Sequence, residues 1–335
     1  MRVFVTGTAG FIGFHLARRL LAEGHIVIGY DGVTDYYDID LKRARLAQLA
    51  GMPGFTAVEA MLEDAEGLKA ALAASHAEIV VHLAAQAGVR YSIESPQSYI
   101  SSNLVGTANL LEAVRAHRPR HLLFASSSSV YGGNDKMPFA EVDRADQPVS
   151  LYAATKKGGE AMVHSYSHLW DIPATSLRFF TVYGPWGRPD MALFKFVRAI
   201  EAGQGIDVYG EGRMRRDFTY IDDLVAVVRR LMDRPPVRGE VLAGDTLSPV
   251  APCRMVNIAG GRPQALMDFI AAVEAALGRK ALCNFLPMQA GDPQETAADT
   301  GLLLQLVGQL PETPMAVGVG HFVDWYRAYY RESAA

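Results

Sequence analysis

The chain has 335 residues, half of them apolar and a fifth charged, with a formal net charge of -4 at pH 7. This length allows a large core and favours two lobes, whereas so weak a charge argues against a surface that binds nucleic acid. Two cysteines, Cys253 and Cys283, are too few for a disulfide framework or a cysteine-based metal site. The sequence has no run of 18 apolar residues that would predict a membrane span. We therefore expect a soluble, cytoplasmic protein without metal, membrane or nucleic-acid partners.

The first half of the chain alternates strand and helix patterns. The apolar runs "RVFVTG", "HIVIGYD", "FTAVEA" and "EIVVHLAA" are separated by helical patterns over residues 11–23, near 41–50 and near 65–74. A helix near 99–116 then leads into "HLLFASSS", and a helix from about residue 152 leads into "ATSLRFF". Because strands that alternate with helices form βαβ units, we predict an α/β protein with a Rossmann-type doubly wound parallel sheet that extends to about residue 179.

The second half predicts a smaller, mixed α/β substrate-binding lobe. The segments "VYGPWGRPD" and "YGEGRMRRDFTY" are rich in glycine or proline and lie between single helices. The later runs "TYIDDLVAVVRRLM" and "MVNIAG" again have the pattern of a helix and a buried strand. We therefore predict a discontinuous division, in which residues 1–178 and about 219–260 bind the nucleotide cofactor. Residues from about 179–218 and 261–335 form the other lobe.

A glycine-rich turn follows the first strand. In "VTGTAGFIG", Gly7, Gly10 and Gly13 stand between that strand and the first helix, where glycines allow a tight turn and a close approach to a pyrophosphate. Asp31 ends the second strand, 18 residues after Gly13, and a carboxylate at about this distance binds the adenosine ribose and repels a 2′-phosphate. The pattern predicts a dinucleotide site that prefers NAD to NADP, although Asp31 could also be an ordinary turn residue.

A tyrosine and a lysine four residues apart indicate a general base. Tyr152 and Lys156 in "YAATK" fall on one face of a helix. A phenol has a reference pKa of about 10, and a nearby ammonium together with a cationic nicotinamide could lower it by roughly 3 pH units, or about 4 kcal/mol. Such a pair occurs often by chance, so its interpretation depends on the glycine turn upstream and on the serines of "SSSSVYG".

Several further motifs resemble the extended short-chain dehydrogenase/reductases and, within them, the NAD-dependent nucleotide-sugar epimerases. They are "TGTAGFIG", "HLAAQAGVRYS", "SNLVGTANLLEA", "SSSSVYG", "YAATK", "RFFTVYGPWGRPDMALFKF", "RRDFTYIDD" and "GDPQETAAD". Of these regions, "DYYD", "GPWGRPDMA" and "QAGDPQET" are most similar to the UDP-glucuronate 4-epimerase branch. The resemblance implies C4 epimerisation of a UDP-sugar through a 4-keto intermediate, with bound NAD as transient hydride acceptor. It also implies a homodimer formed by the helices near 99–116 and 152–169.

The resemblance assigns roles to individual residues. Ser127 is expected to relay the substrate proton and to complete a catalytic triad with Tyr152 and Lys156, and Lys156 is also expected to hold the nicotinamide ribose. The expected NAD contacts are Gly7, Gly10, Phe11, Ile12, Gly13, Asp31, Leu62, Leu83, Ala84, Ala85, Ser126, Tyr152 and Lys156. The expected substrate contacts are Arg90 at the sugar, Ser127, Ser128 and Thr181 at its carboxylate, Arg188 and Arg216 at the pyrophosphate, Val208 and Tyr209 at the uracil, and Asp292 at the uridine ribose.

The serine run distinguishes this chain from sister enzymes. Dehydratases of the family carry Asp-Glu where this chain has Ser128 and Ser129, and UDP-glucuronate decarboxylases carry Glu at the second position. Neutral hydroxyls can hold a substrate carboxylate without repelling it, and Thr181 adds another. Alternatively, Ser128 and Ser129 serve only to bond the backbone at the end of the strand.

Four features depart from the family pattern or have no assigned role. Met61 stands where many relatives carry an Asp that contacts adenine, and Gln289 replaces an Arg of galactose-type epimerases. Gly158 and Gly159 should each destabilise their helix by up to about 1 kcal/mol. His82 is expected to be a core residue rather than a metal ligand.

The alternative functions for the whole protein are a UDP-glucose 4-epimerase, a UDP-glucuronate decarboxylase or a non-catalytic NAD sensor.

Overall fold

The structure is a computed structural model that describes residues 1–289 and 293–332, without the side chains of residues 331 and 332. Its strands are β1 (Arg2–Thr6), β2 (Ile26–Asp31), β3 (Phe55–Glu59), β4 (Ile79–His82), β5 (His121–Ser127), β6 (Ala174–Phe179), β7 (Thr181–Tyr183), β8 (Gly205–Tyr209), β9 (Arg215–Tyr220), β10 (Cys253–Ile258), β11 (Pro263–Ala265), β12 (Leu282–Leu286) and β13 (Glu295–Thr296).

The α-helices are α1 (Phe11–Ala22), α2 (Ile39–Ala50), α3 (Ala65–Ser75), α4 (Tyr91–Glu94), α5 (Pro96–Tyr99), α6 (Gly106–His117), α7 (Leu151–Trp170), α8 (Ala192–Glu201), α9 (Ile221–Met232), α10 (Leu266–Leu277), α11 (Gly301–Val307) and α12 (Met315–Glu332). A π-helical segment, Ile100–Val105, joins α5 to α6, and Ser128–Tyr131 and Gly210–Gly212 form 3₁₀ turns. Among the described residues, no helix is long and apolar enough to cross a membrane.

The centre of the molecule is a parallel sheet of seven strands in the order β10-β6-β5-β4-β1-β2-β3. One apolar cluster joins the sheet to α1, α2 and α9, and a second joins its other face to α3, α6 and α7. Because helices cover both faces, β4, β5 and β6 are buried along their whole length. This architecture confirms the predicted Rossmann-type sheet, and β6 ends at Phe179, where the sheet core was expected to end.

The carboxyl ends of the strands meet at one edge of this sheet. Thr6, at the end of β1, lies between Tyr30 and His82, and Ser127, at the end of β5, lies beside Phe179. The strand order reverses at β1, and ligands of open α/β sheets bind outside the carboxyl ends at such a reversal. The glycine turn and the serine run therefore open toward the same crevice.

Smaller sheets lie at the carboxyl edge of the large sheet. β9 pairs with β7, β11 and β13, while β8 pairs in parallel with β12. The chain then returns to the large sheet through α9, which packs on α1, and through β10, which pairs with β6. The proposed boundaries near residues 178, 218 and 260 stay a prediction.

Candidate active site

A cleft with a volume of about 1080 Å³ lies along the carboxyl edge of the sheet. Its lining includes every residue expected to contact NAD or the sugar nucleotide except Val208 and Asp292. Val208 was expected at the uracil, but its side chain is fully buried in the core and does not line the cleft. Its neighbour Tyr209 does line the cleft. Asp292 lies outside the described residues.

The glycine turn brings backbone from two strands together. Gly7 has φ of +81°, and a Cβ atom there would lie 2.7 Å from the Ala84 nitrogen. A Cβ atom on Gly13 would lie only 2.0 Å from the Gly7 carbonyl oxygen, so the first turn of α1 can approach the loop only as glycine. The N-terminus of α1 is therefore held at the floor of the cleft, where its free N–H groups suit a pyrophosphate.

Asp31 is fixed in the cleft by the backbone around it. Its Oδ2 accepts a hydrogen bond from the Ala9 nitrogen at 2.8 Å, and its Oδ1 accepts one from the Val33 nitrogen, also at 2.8 Å. Each carboxylate oxygen has further lone pairs, so both remain able to accept from ribose hydroxyls. The glycine turn and the oriented Asp31 together fit the phosphates and adenosine ribose of NAD.

The helix α7 carries the candidate base. It begins at Leu151 because the Ser150 hydroxyl accepts a hydrogen bond from the Ala153 nitrogen at its first turn. Four-residue spacing then places Tyr152 and Lys156 on one face, and both line the cleft. The Lys156 ammonium donates to the Ala125 carbonyl at 2.9 Å, so it is anchored to β5.

The two glycines of α7 differ in their surroundings. A Cβ atom on Gly159 would lie 2.4 Å from Phe124 Cζ, which means that glycine lets the helix pack closely on β5. At Gly158 the nearest atom is Leu104 Cδ2, at 3.0 Å from the position of a Cβ atom. Gly159 thus has a packing reason that the sequence did not reveal, because Phe124 lies far from it along the chain.

Burial acts against the charged forms of both candidate catalytic groups. It raises the pKa of the Tyr152 phenol, while a hydrogen bond with Ser127 and the Arg188 charge act in the opposite direction. It lowers the pKa of Lys156 to about 7. The Lys156 ammonium is directed to the Ala125 carbonyl, and the lowering expected from it together with a cationic nicotinamide stays a prediction. Arg188 is the cation that favours the phenolate.

A buried ion pair braces α7. Glu160 lies one turn beyond Lys156 and accepts two hydrogen bonds from Arg178 of β6, at 2.8 and 3.0 Å. Its Oε1 also accepts from the Ser126 hydroxyl at 2.7 Å, and the charged side chains are only 4% and 1% exposed. The pair therefore ties α7 to the serine run, and it directs the Ser126 hydroxyl to Glu160.

One of the other serines contacts the phenol, and the rest line the same cleft. The Ser127 hydroxyl bonds with Tyr152 and accepts a hydrogen bond from the Ser129 nitrogen at 3.1 Å, which caps the 3₁₀ turn. Ser128, Ser129 and Thr181 are half-buried and line the cleft. The backbone-bonding role that was considered for Ser128 and Ser129 thus falls in part to Ser127.

Arg188 lies in a polar cluster at the same end of the cleft. It forms an ion pair with Asp190, with Nη2 to Oδ2 at 2.6 Å, and Tyr36 donates to the same carboxylate at 3.1 Å. Its charge also lowers the pKa of Tyr152. The expected role of Arg188 at the pyrophosphate stays a prediction, and in this position its charge also acts on the candidate base.

The segment that precedes Arg188 is held by Arg45, a fully buried residue of α2. Arg45 donates to the Ala9 carbonyl in the glycine turn at 2.7 Å and to the Trp186 carbonyl at 2.6 Å. Trp186 has φ of +60°, a conformation that is costly for a bulky residue and persists only where the surroundings impose it. Arg45 therefore links the cofactor loop to the loop that carries Arg188.

Cations line the part of the cleft nearer the small sheets. The Arg90 guanidinium lies 5.0 Å from the centre of the Tyr209 ring, so these two expected substrate residues meet across the cleft. Arg216 donates to the Pro293 carbonyl at 2.7 Å and lines the cleft. Sequence reasoning missed Lys195 and Arg198, which also line it; their spacing of three on α8 was the available signal.

His82 is bonded within the core, as expected. Its Nδ1 lies 2.8 Å from the Thr6 hydroxyl and its Nε2 lies 3.1 Å from the Thr107 hydroxyl. Burial lowers its pKa to about 3, and the nearby Lys156 charge acts in the same direction. The imidazole is therefore neutral and supports the loop behind the cofactor site.

Comparisons with known proteins agree with this geometry. Residues 3–242 match the NAD dependent epimerase/dehydratase family. The chain is 57% identical to a probable UDP-glucuronate 4-epimerase of Rhizobium meliloti (strain 1021), over 99% of both chains, and 44% identical to UDP-glucuronate 4-epimerase 3 of Arabidopsis thaliana, over 98% of this chain and 77% of that protein. The crystal structure of UDP-glucuronic acid 4-epimerase from Bacillus cereus, in complex with UDP-glucuronic acid and NAD, is 31% identical, has a TM-score of 0.86 and is matched over 98% of this chain and 100% of that one. The resemblance inferred from the motifs is confirmed: the chain belongs to the NAD dependent epimerase/dehydratase family.

Proposed function

We propose that this protein is an NAD-dependent UDP-glucuronate 4-epimerase, which interconverts UDP-glucuronate and UDP-galacturonate. The observation that carries the proposal is the row of neutral hydroxyls in the cleft that holds the catalytic phenol. Ser127, Ser128, Ser129 and Thr181 line the same cleft as Tyr152, Ser127 bonds with the phenol, and none of these four side chains is a carboxylate. The similarity to UDP-glucuronate 4-epimerases along almost the whole chain supports the same substrate.

NAD is the cofactor, and its site is built by the glycine turn and Asp31. When bound, it supplies a hydride acceptor for C4 of the sugar and later returns the hydride. Tyr152 removes the proton of the 4-hydroxyl, and Ser127 relays that proton through its hydroxyl. Lys156 holds the nicotinamide ribose. The 4-keto sugar then turns about its phosphate linkage and presents its opposite face, so the C4 configuration is inverted on reduction.

The hydroxyls also protect the substrate from a side reaction. Oxidation at C4 makes the sugar a β-keto acid, which loses CO2 when its carboxylate turns perpendicular to the ketone plane. Hydrogen bonds from Ser127, Ser128 and Thr181 would restrain that carboxylate, and a hydroxyl-to-carboxylate bond is worth about 1.5–3 kcal/mol. Arg216 and Arg188 supply charge for the pyrophosphate, with Arg188 close enough to Tyr152 for its charge to favour the phenolate as well. Arg90 faces the sugar, and Tyr209 lines the uracil site.

A product assay tests the proposal. Purified protein is incubated with UDP-glucuronate and NAD, and the sugar protons are followed by NMR, with UDP-glucose as a parallel substrate. UDP-galacturonate is the expected product. UDP-xylose or a free 4-keto pentose would indicate a decarboxylase, and turnover of UDP-glucose without UDP-glucuronate would refute the choice of substrate.

Tyr152→Phe is the matched variant for this assay. It removes the base but keeps the ring, so the protein should retain NAD and its fold and lose more than about a hundredfold in rate, the lower end of general-base contributions. Unchanged turnover would remove Tyr152 from the mechanism. Full retention of NAD with no turnover of any nucleotide sugar by the unaltered protein would instead favour a non-catalytic NAD sensor.

A homodimer and a cytoplasmic location stay proposals. Helices α6 and α7 lie side by side. Val105, at the end of the π-helical segment that leads into α6, is 47% exposed and Leu169 of α7 is 61% exposed, which supports a contact between two copies through these helices. Sedimentation at micromolar concentration should give a dimer. A monomer would contradict the proposed assembly but not the catalytic function.

A further inference from the structure

A carboxylate with no role in the sugar chemistry faces the cofactor part of the cleft. Glu63 follows β3 and lines the cleft together with Met61, Leu62 and Ser102. Its Oε1 accepts a hydrogen bond from the Ser102 hydroxyl at 3.2 Å. Its Oε2 is buried and has no hydrogen-bond partner among residues 1–289 and 293–332. A buried acceptor without a donor is costly, so this oxygen is expected to meet a donor that enters the cleft.

The position of Glu63 in the sheet indicates which part of NAD it meets. Asp31 ends β2 and holds the adenosine ribose, and it lies in register with Glu59 at the end of β3. Residues 61–63 directly follow β3, so they lie beside the ribose site, on the side of the sheet away from β5 and Tyr152. The base attached to that ribose therefore reaches this loop, while the nicotinamide lies at the other end.

The side chains around this loop suit a purine with a donor on its edge. Leu62 is almost fully buried, and the Met61 sulfur lies against Gly32, at 2.2 Å from the position of a Cβ atom there. Both side chains are apolar surfaces, and a thioether is only a weak acceptor. The carboxylate of Glu63 is the strong acceptor among these lining side chains, and adenine carries an amino group at its position 6.

We propose that Glu63 Oε2 accepts a hydrogen bond from the 6-amino group of adenine, and that Glu63 thereby selects adenine over a base with a carbonyl at that position. The acceptor that Met61 cannot provide is supplied two residues later. The inference rests on NAD as the cofactor and is independent of which sugar nucleotide is turned over.

Two contacts hold Glu63 ready for this role. The Ser102 hydroxyl, from the π-helical segment, fixes Oε1 and leaves Oε2 available as an acceptor in a side chain that lines the cleft. Asn109 of α6 donates to the Leu62 carbonyl at 3.0 Å and to the Glu63 carbonyl at 3.3 Å, so the loop backbone is fixed as well. A preorganised acceptor loses little entropy when it binds the base.

A competition between two cofactors tests the proposal without measuring turnover. The holoenzyme is dialysed against equal concentrations of NAD and nicotinamide hypoxanthine dinucleotide, in which a carbonyl replaces the 6-amino group. The bound cofactors are then released by denaturation and counted by mass spectrometry. The same measurement is made on Glu63→Gln, whose amide can donate to the carbonyl, and on Glu66→Gln. The latter removes an equal charge from an exposed position of the same stretch.

In the unaltered protein, the ratio of bound NAD to bound analogue should be at least about ten, because in the analogue a carbonyl oxygen would face the Glu63 carboxylate. Glu63→Gln should lower that ratio at least about tenfold, and Glu66→Gln should leave it unchanged. A ratio near one for the unaltered protein would overturn the proposal without any variant. An unchanged ratio in Glu63→Gln would also overturn it. Because only bound cofactor is counted, either result is separate from success or failure of the proposed epimerase activity.

Discussion

Removal of one charge from the buried Glu160–Arg178 pair should destabilise the protein strongly. Glu160→Gln keeps the shape of the side chain but leaves the Arg178 guanidinium, 1% exposed, without a counter-charge. Burial alone would raise the pKa of Glu160, and the Arg178 charge overrides this and lowers it, so the pair is ionised at neutral pH. Breaking such a pair costs about 3–5 kcal/mol. The glutamine keeps one oxygen for Ser126 or Arg178, so we expect about 3 kcal/mol.

Urea-induced unfolding measures this loss. The NAD concentration is the same for every variant, because bound cofactor raises the free energy of unfolding by an amount that depends on that concentration and on the affinity of the variant for NAD. The double variant with Glu160→Leu and Arg178→Leu removes both charges, and we expect it to be more stable than Glu160→Gln. Arg144→Met, which breaks an exposed pair with Asp146, is the control and should cause no measurable change.

Two results would refute this reasoning. A loss below about 1 kcal/mol in Glu160→Gln would mean that the guanidinium finds water or another partner, contrary to the buried geometry. A double variant as unstable as the sum of its single variants would mean that the charges do not interact. A third readout concerns positioning, since Glu160 also holds Ser126: turnover should fall in Glu160→Gln even at temperatures where the protein is fully folded.

Three further predictions follow from the same site. Thr181→Ala should slow epimerisation and increase both the CO2 released and the reduced cofactor left on the enzyme, because a substrate carboxylate freed from a bond of about 1.5–3 kcal/mol can turn. NMR measures the products and absorbance measures the reduced cofactor. Slower turnover without extra CO2 would show that Thr181 only orients the sugar. The pKa of Lys156, about 7 in the folded protein, lies below the 10.5 of an ordinary lysine. The unfolded chain therefore binds more protons above pH 7, and the free energy of unfolding of cofactor-free protein should rise with pH by up to about 1.4 kcal/mol per pH unit. Lys156→Met should remove that slope in unfolding experiments at pH 6.5, 7.5 and 8.5, and an unchanged slope would assign it to another group. Gly159→Ala should lower the thermal unfolding midpoint because the added methyl group meets Phe124, which destabilises the protein by about 1–3 kcal/mol. Gly158→Ala should be close to neutral because Leu104 can move and alanine favours the helix. Equal effects of the two substitutions would contradict the packing argument.

Local chemistry made much of the fold and site predictable. The period of the apolar residues decides between strand and helix, and the elements up to β6 follow it closely. Gly7 and Gly13 are needed because of backbone contacts within the turn itself, and Tyr152 and Lys156 share a helix face because of their spacing. Each of these inferences depends on residues that are near one another along the chain.

Residues that depend on packing between distant elements could not be found in this way. Arg178 stands in the strand run "ATSLRFF", where nothing marks it as the partner of Glu160 on the preceding helix. The direction of the Lys156 ammonium depends on where the Ala125 carbonyl comes to lie, which only the packed helix and strand determine. The combined effect of Lys156 and a cationic nicotinamide on the phenol stays a prediction for the same reason.

Arg45 makes the cofactor loop and the Arg188 loop a single mechanical unit. One guanidinium bonds the carbonyls of both Ala9 and Trp186, so a change in either loop alters the support of the other. Chimeras are made by exchanging segments between related enzymes to alter sugar preference. A chimera that replaces residues 184–190 but lacks an arginine at position 45 to bond the new loop will therefore lose support for the cofactor loop as well. Cofactor retention is accordingly the property to monitor in such chimeras, even when every exchanged residue lies on the substrate side.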